Sequence, residues 1–187
     1  MAVSLPSLSI GRPVRRPTKS RPSSASSAIG DALATASYVK LPWGPVRVIT
    51  GPGGVIALDL HPPFDGDYVA AAPSDPLHRE VHAQLNAYVR GQLTTFSLPV
   101  DPQGTPFQRV VWAALLNIPY GQTRTYGQIA TAIGRPEAAR AVGMACGSNP
   151  IGIVIPCHRV VGADGSLTGY AGGLDLKAQL LQHEGVQ

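Results

Sequence analysis

Cysteine is scarce. Cys146 and Cys157 are the only two in 187 residues, too few for a disulfide framework, and free thiols in a reducing cytoplasm are expected. Long apolar runs are missing as well. Although 44% of the residues are hydrophobic, no uninterrupted stretch is long enough to cross a bilayer. No apolar segment follows the early arginines as a signal peptide would require. The five histidines and two cysteines have neither zinc-finger spacing nor the paired His-x-Glu and Cys-x-x-Cys of the base deaminases. The chain is therefore expected to be soluble, to span no membrane, and to need no metal or cofactor.

What charge there is lies unevenly. Arg12, Arg15, Arg16, Lys19 and Arg21 give residues 1–30 a charge of +5 with no acid among them, whereas residues 31–103 carry −3 and residues 104–187 carry +2. A basic run of this kind is more often a solvated surface than a DNA-binding one. Residues 1–34 form a Pro/Ser/Arg-rich tail without strand alternation or a helical stripe, and are expected to be disordered. Two small domains should follow, an α/β unit over 35–100 and a second unit over 101–187. The fold class is α+β: a small N-terminal sheet with a helix, then a mostly helical domain containing a helix-turn-helix.

In the first unit, Tyr38–Leu41, Val46–Ile49 and Val55–Leu60 read as strands separated by Pro42/Gly44 and by Gly51-Pro52-Gly53-Gly54. Residues 61–76 read as loop. Leu77, Val81, Leu85, Tyr88 and Val89 recur on one face of a helix over Pro76–Arg90, stopped by Gly91. Phe96, Leu98 and Val100 alternate as a further strand. No nucleophile or metal cluster stands out in this unit.

Start signals sharpen after Gly104. Thr105, Pro106 and Gln108 make an N-cap, a first-turn proline and a capping box, and Thr125 with Gln128 repeats the box. The first of these helices should bury Phe107, Val110, Val111, Ala114 and Leu115, with Trp112 in the core, and stop near Ile118-Pro119. The second should bury Ile129, Ala130 and Ile133 up to Gly134, and Pro136 should open a third. Short helices joined through a tight glycine-containing turn outline a helix-turn-helix, whose second helix would enter a DNA groove. Pro136, Ala138, Ala139 and Gly143 give that helix a small-residue surface, suited to a sugar-phosphate backbone or to close helix packing.

Beyond Asn149-Pro150, Ile151–Ile155 reads as a short strand or extended run. Pro156 then constrains the bend that presents Cys157-His158-Arg159. A lone cysteine is commonly just buried, but a histidine, an arginine and Glu184 are at hand to lower the pKa of this one. Neighbours in an extended chain point to opposite sides, so a contact between Cys157 and His158 needs a bend or a bridging water.

Gly104-Thr105-Pro106-Phe107-Gln108, Val111-Trp112, Ile118-Pro119-Tyr120-Gly121, Thr125-Tyr126, Arg140-Ala141-Val142-Gly143, Asn149-Pro150, Ile155-Pro156-Cys157-His158-Arg159-Val160, Gly169-Tyr170-Ala171-Gly172-Gly173 and His183-Glu184-Gly185 together resemble the O6-alkylguanine-DNA alkyltransferases. The resemblance covers residues 104–185. It implies direct-reversal repair of double-stranded DNA containing O6-alkylguanine, in which the alkyl group passes once and irreversibly to the protein. A monomer acting in the cytoplasm, at the nucleoid if the source is bacterial, is the simplest expectation; the basic tail is no part of the family pattern, and its +5 charge is expected to aid encounter with DNA.

On this resemblance Cys157 is the alkyl acceptor, activated through a water by His158, which Glu184 holds. Asn149 shapes the active-site bend. Tyr126 approaches the flipped base and its 3′ phosphate, and Arg140 enters the duplex where the base left, on the surface made by Pro136, Ala138, Ala139 and Gly143. Tyr170 assists the departing guanine. The main-chain carbonyls of Cys157 and Val160 read the base edge, and the loop with Ala171 and Gly172 walls the pocket. Ala171 stands where relatives often carry serine, so only its main-chain N–H is left to contact the guanine oxygen. Two other classes stay open: a non-catalytic alkyltransferase-like lesion binder, against which Cys157 argues, and a thiol hydrolase, disfavoured by the adjacent Cys-His order.

Overall fold

The computed structural model describes residues 34–62 and 75–186. The expected tail, up to residue 33, and the central part of the expected 61–76 loop lie outside the described residues. Strands β1 (Thr35–Leu41), β2 (Gly44–Gly51) and β3 (Gly54–Asp59) form an antiparallel sheet in the order β1-β2-β3. Alternation does what the period of two requires: Val46, Val48 and Thr50 of β2 are buried while Arg47 reaches outward to Asp59 at 3.1 Å. The register shifts between Ile49 and Thr50.

Helix α1 (Pro76–Val89) packs on this sheet. The Asp75 carboxylate accepts from the backbone N–H groups of Leu77 and His78, Pro76 takes the first turn, and Gly91 at φ +67° ends the helix. Its buried face holds His78, Val81, Gln84, Leu85 and Tyr88, with Leu77 and Val89 at the margins. The expected strand at Phe96–Val100 is not one. The side chains alternate as predicted, but the segment meets the sheet only at Val100, where Val55 N–H donates to Pro99 O and Asp101 N–H to Val55 O, each at 2.8 Å. Gly54 at φ +133° permits the approach, since a Cβ there would collide with the Pro99 carbonyl.

The second domain comprises α2 (Pro106–Leu115), β4 (Arg124–Thr125), α3 (Tyr126–Ala132), α4 (Ala139–Gly147), β5 (Val160–Val161) and α5 (Gly173–His183). Both capping boxes form: Thr105 with Gln108 and Thr125 with Gln128 exchange the reciprocal bonds at 3.2 and 2.8 Å. Val111, Trp112 and Leu115 are buried, and the Trp112 indole donates to Ala145 O. Val110 is 50% exposed, against expectation, because the buried arc runs from Val111 through Leu115 to Trp112, and Val110 lies about 100° beyond Val111 on the side away from Trp112. Pro136 opens a 3-10 turn (Pro136–Ala138), closed by Ala138 N–H to Arg135 O at 2.9 Å, and α4 starts only at Ala139. The packing of α3, this turn and α4 is that of a helix-turn-helix.

Ile151–Ile155 also departs from the expected strand. Ile151 alone bridges to Leu58 of β3, and the chain then folds into a turn with Ile155 N–H on Ile151 O. Ile153 takes φ +71° in this turn and is 1% exposed. A β-branched residue there costs on the order of 1–3 kcal/mol, held by the packing around it.

Candidate active site

The turn delivers Pro156 and a 3-10 segment, Cys157–Arg159, every residue of which is buried. Cys157 therefore does not sit on extended chain; its own N–H closes on Ile155 O at 2.8 Å. Asn149 organises the bend. Its amide donates to Ile155 O at 2.8 Å and to Cys157 Sγ at 3.1 Å, while its carbonyl oxygen accepts from Ile151 N–H. Cys157 lies in a cavity of about 110 Å³ lined also by Asn149, Gly152, Tyr170, Ala171 and Gly172, and by Asp59, Leu60 and His61 at the end of β3. A larger cavity of about 240 Å³, lined in part by Phe96, Tyr120 and Arg159, has no cysteine in its lining.

Within hydrogen-bond reach of His158 is Glu184, also buried. Glu184 Oε1 accepts from His158 Nε2 at 2.9 Å, from Arg159 Nη2 at 2.9 Å and from Tyr88 Oη at 2.7 Å; Oε2 accepts from Arg159 Nε at 2.8 Å and from Gly121 N–H at 3.1 Å. Gly121, at φ +72°, lies so near that a Cβ would come within 2.9 Å of the Glu184 carbonyl. An ionised carboxylate only accepts, so the bond at Nε2 places the imidazole hydrogen there and leaves Nδ1 as the basic nitrogen. Nδ1 is buried and has no partner among the described residues.

Burial pushes each charge toward its neutral form, and the neighbours decide which ones yield. For Glu184, burial would raise the carboxyl, but the hydrogen bonds from His158 and Arg159 outweigh it and hold the group well below the usual carboxylate range. For His158, burial prevails over the attraction of Glu184, and Arg159 adds to it, so the imidazole is pushed down and is neutral at pH 7. Burial likewise raises the Cys157 thiol against the opposing Asn149 bond and Lys177 charge. The resting site pairs a neutral thiol with a neutral imidazole.

The expected site residues separate into three places. Asn149, Cys157, Tyr170, Ala171 and Gly172 line the cavity, and the Tyr170 hydroxyl is buried with no partner among the described residues. His158 and Glu184 form the buried pair just described. Tyr126, Pro136, Ala138, Ala139, Arg140 and Gly143 occupy the helix-turn-helix, where Arg140 is exposed and Tyr126 packs over Gly143, bonding Thr168 O at 3.2 Å. Val160 is outside the cavity lining, and its carbonyl accepts from Lys177 Nζ at 2.5 Å.

Sequence reasoning passed over Lys177, Arg159 as the main partner of Glu184, Tyr88, and the β3 end at Leu60 and His61. Lys177 is wholly buried and bonds only main-chain carbonyls, Val160 O and Thr168 O. It sits four residues from the motif glycines at the start of an amphipathic helix, where a lysine reads as surface. A buried polar residue on a stripe was the one available signal.

Residues 106–186 match the family described as "6-O-methylguanine DNA methyltransferase, DNA binding domain". A Methanosarcina barkeri methylated-DNA–protein-cysteine methyltransferase is 48% identical over 151 residues, covering 78% of this chain and 94% of that protein. This chain belongs to that family. The Mycobacterium leprae protein of the same name is 47% identical, over 76% of this chain and 87% of its own. The fold agrees: the Mycobacterium tuberculosis O6-methylguanine methyltransferase superposes with a TM-score of 0.71 at 44% identity, over 81% of this chain and 93% of that one. A structure of Mycobacterium tuberculosis OGT in complex with DNA gives 0.69 at 46% identity, over 80% and 91%. The chain is accordingly a direct-reversal repair protein of the cysteine alkyltransferase type, with a DNA-binding domain. Among the described residues no helix is long and apolar enough to cross a membrane.

Proposed function

We propose that the protein, acting as a monomer in the cytoplasm, binds double-stranded DNA containing O6-alkylguanine and takes the alkyl group onto Cys157, once per molecule. The observation that carries this reading is the position of Cys157: its sulfur accepts from Asn149 in a small cavity, beside a buried His158–Glu184 pair.

The target base must leave the stack to reach such a cavity, at a cost of a few kcal/mol. Arg140, exposed on α4, fills the space the base vacates, and Tyr126 meets the backbone beside it. The small residues Pro136, Ala138, Ala139 and Gly143 let the helix approach closely. In the pocket, His158 Nδ1 takes the thiol proton through a water, while Glu184 keeps the other nitrogen protonated. The sulfur then attacks the alkyl carbon in line, the C–S bond forms as the C–O6 bond breaks, and the electron pair leaves with guanine. The Tyr170 hydroxyl helps protonate or stabilise the departing base by donating a hydrogen bond to it, and the proton taken up by His158 balances the one the guanine finally gains. The main-chain N–H of Ala171 and the carbonyls of Cys157 and Val160 recognise the base, and Gly172 lets the wall close. Nothing on this route regenerates the thiol.

Stoichiometry tests the reading. Excess duplex carrying O6-methylguanine is incubated with the protein, and repaired guanine and intact protein mass are followed together. Repair should stop at one lesion per active molecule, with one methylene unit added at Cys157, and Cys157→Ser should transfer nothing. Continued turnover would overturn single use, and label on Cys146 would overturn the nucleophile.

A further inference from the structure

The N-terminal domain reaches the reaction centre at two places, the end of β3 beside Cys157 and, at the His158–Glu184 pair, one side chain of α1. Tyr88, in the last turn of α1, is wholly buried, and its hydroxyl donates at 2.7 Å to Glu184 Oε1, the oxygen that also holds His158. The contact is doubly fixed. The Tyr88 carbonyl accepts from His183 Nε2 at 2.8 Å, and the phenol ring packs against His183 and Tyr120, with centroids at 5.1 and 6.1 Å. Helix α1 thus grips the end of α5 from both sides of one residue.

From this geometry we infer that Tyr88 is a positioning residue for alkyl transfer, setting how much of the Glu184 charge His158 feels. The inference rests on the reading of Cys157, His158 and Glu184 given above. A phenol that only filled the domain interface would still need an acceptor for its buried hydroxyl, but it would not need the one oxygen that also holds His158. Burial keeps the Tyr88 hydroxyl protonated far above pH 7, so it remains a donor throughout. Each donor on Oε1 disperses negative charge that would otherwise stabilise an imidazolium at His158. Other groups face the pair as well. Arg159 and Cys157 come from the 3-10 segment, Tyr120 from the loop after α2, and Lys177 and His183 from α5. Arg159 and Lys177 oppose protonation of His158 by charge, and Tyr88 opposes it by drawing on the same oxygen.

The sign follows. Removing the hydroxyl leaves Glu184 a stronger partner for a protonated His158, which accepts the thiol proton more easily. Tyr88→Phe should shift the pH profile for reaction with free O6-benzylguanine toward acid by roughly half to one pH unit. Replacing Tyr88 with 3,5-difluorotyrosine keeps the shape but strengthens the donor, and should shift the profile toward alkali. Phe96→Leu disturbs the ring packed at 5.4 Å from Tyr88 without touching Glu184, and should leave the profile where it is.

Rates are measured from pH 5 to 9 on the full chain, with the benzyl group mapped by mass and Glu184→Gln run alongside. A Tyr88→Phe profile that stays put or moves to alkali while Glu184→Gln moves to alkali overturns the Tyr88 inference and leaves the relay intact. An unmoved Glu184→Gln profile overturns the relay and the inference with it. Should Tyr88→Phe not fold, the fluorinated protein decides, and an unmoved profile there is a refutation.

Discussion

The turn that carries Cys157 and the turn that opens α4 are built to opposite rules. From Ile151 to Val161 every residue is buried, whereas from Arg135 to Ala141 none is. Around the sulfur the charged side chains are shielded from bulk solvent, so each must be answered by a specific bond: Arg159 by Glu184 and Ile118 O, Lys177 by two carbonyls. Protonation states there are properties of the fold. Along the exposed turn, Arg140 faces solvent. On the proposed function, reaction is placed where the dielectric is low, and recognition of a long anionic polymer where solvent can be displaced.

The sharpest way to break this contrast is to make one substitution in both regions. Arg159→Met strips a buried carboxylate of its main partner, and breaking one side of such a pair costs about 3–5 kcal/mol. For a chain of this size that is roughly 10 °C in unfolding midpoint. Arg140→Met, on the exposed turn, should stay within about 0.5 kcal/mol. Equal losses in urea unfolding would mean that the Arg159–Glu184 pair is solvated and that the two turns do not differ as described.

Function should show the reverse asymmetry. Arg140→Ala should slow repair of O6-methylguanine in duplex DNA by at least about tenfold, since base extrusion costs a few kcal/mol that an inserted side chain offsets. Reaction with free O6-benzylguanine, which needs no extrusion, should keep its rate. If both substrates slow together, Arg140 supports the pocket.

Local chemistry was legible in the sequence and distant pairing was not. The two capping boxes, the β1–β3 strands and the bend at Pro156 depend on residues a few positions apart, and each formed as expected. Val110 was misread because the buried arc of α2 extends from Val111 toward Trp112 rather than toward Val110. Phe96–Val100 has the alternation of a strand, but alternation does not supply a partner edge. Ile151–Ile155 has strand composition, yet must turn to bring Cys157 back beside Asn149, and it does so through a left-handed isoleucine that no propensity favours. Glu184 was expected beside His158, but its Tyr88 donor lies 96 residues away. No spacing rule reaches so far, and Arg159 was hidden by its place next to the more obvious histidine.

Acid sharpens the comparison again, because a partly buried histidine in the N-terminal domain sets a scale for the buried one. His82 is pushed down by burial and by His78, and His158 by burial first. For each, the unfolded chain takes up a proton near pH 6.5 and the fold resists it. Their contribution is therefore complete above that pH and is lost as pH falls below it. The Glu184 carboxyl, held low, starts to lose its own contribution only near the ordinary carboxyl pKa of 4.5, below this window, and loses the rest in far stronger acid. Unfolding free energy should thus fall from pH 7 to pH 5. His158→Gln should flatten that slope more than His82→Gln, and an equally steep slope in His158→Gln would show that the buried imidazole is already charged.

The smallest expected effect lies back on the exposed turn, in the one acid it carries. Glu137 sits between Pro136 and Ala138, fully exposed in the 3-10 segment that precedes Arg140. If this surface lies against phosphates, the carboxylate stands within about a Debye length of several of them and repels each weakly through water. Glu137→Gln should then tighten duplex binding about two- to threefold at low salt, the gain shrinking as salt rises, with reaction at free O6-benzylguanine unaltered. Because neither charge near Cys157 changes, any movement of the benzylguanine rate would tie the exposed turn to the buried one. An affinity independent of Glu137 at every salt concentration would instead place the DNA on another face of α4, and the contrast drawn between the two turns would lose its functional half.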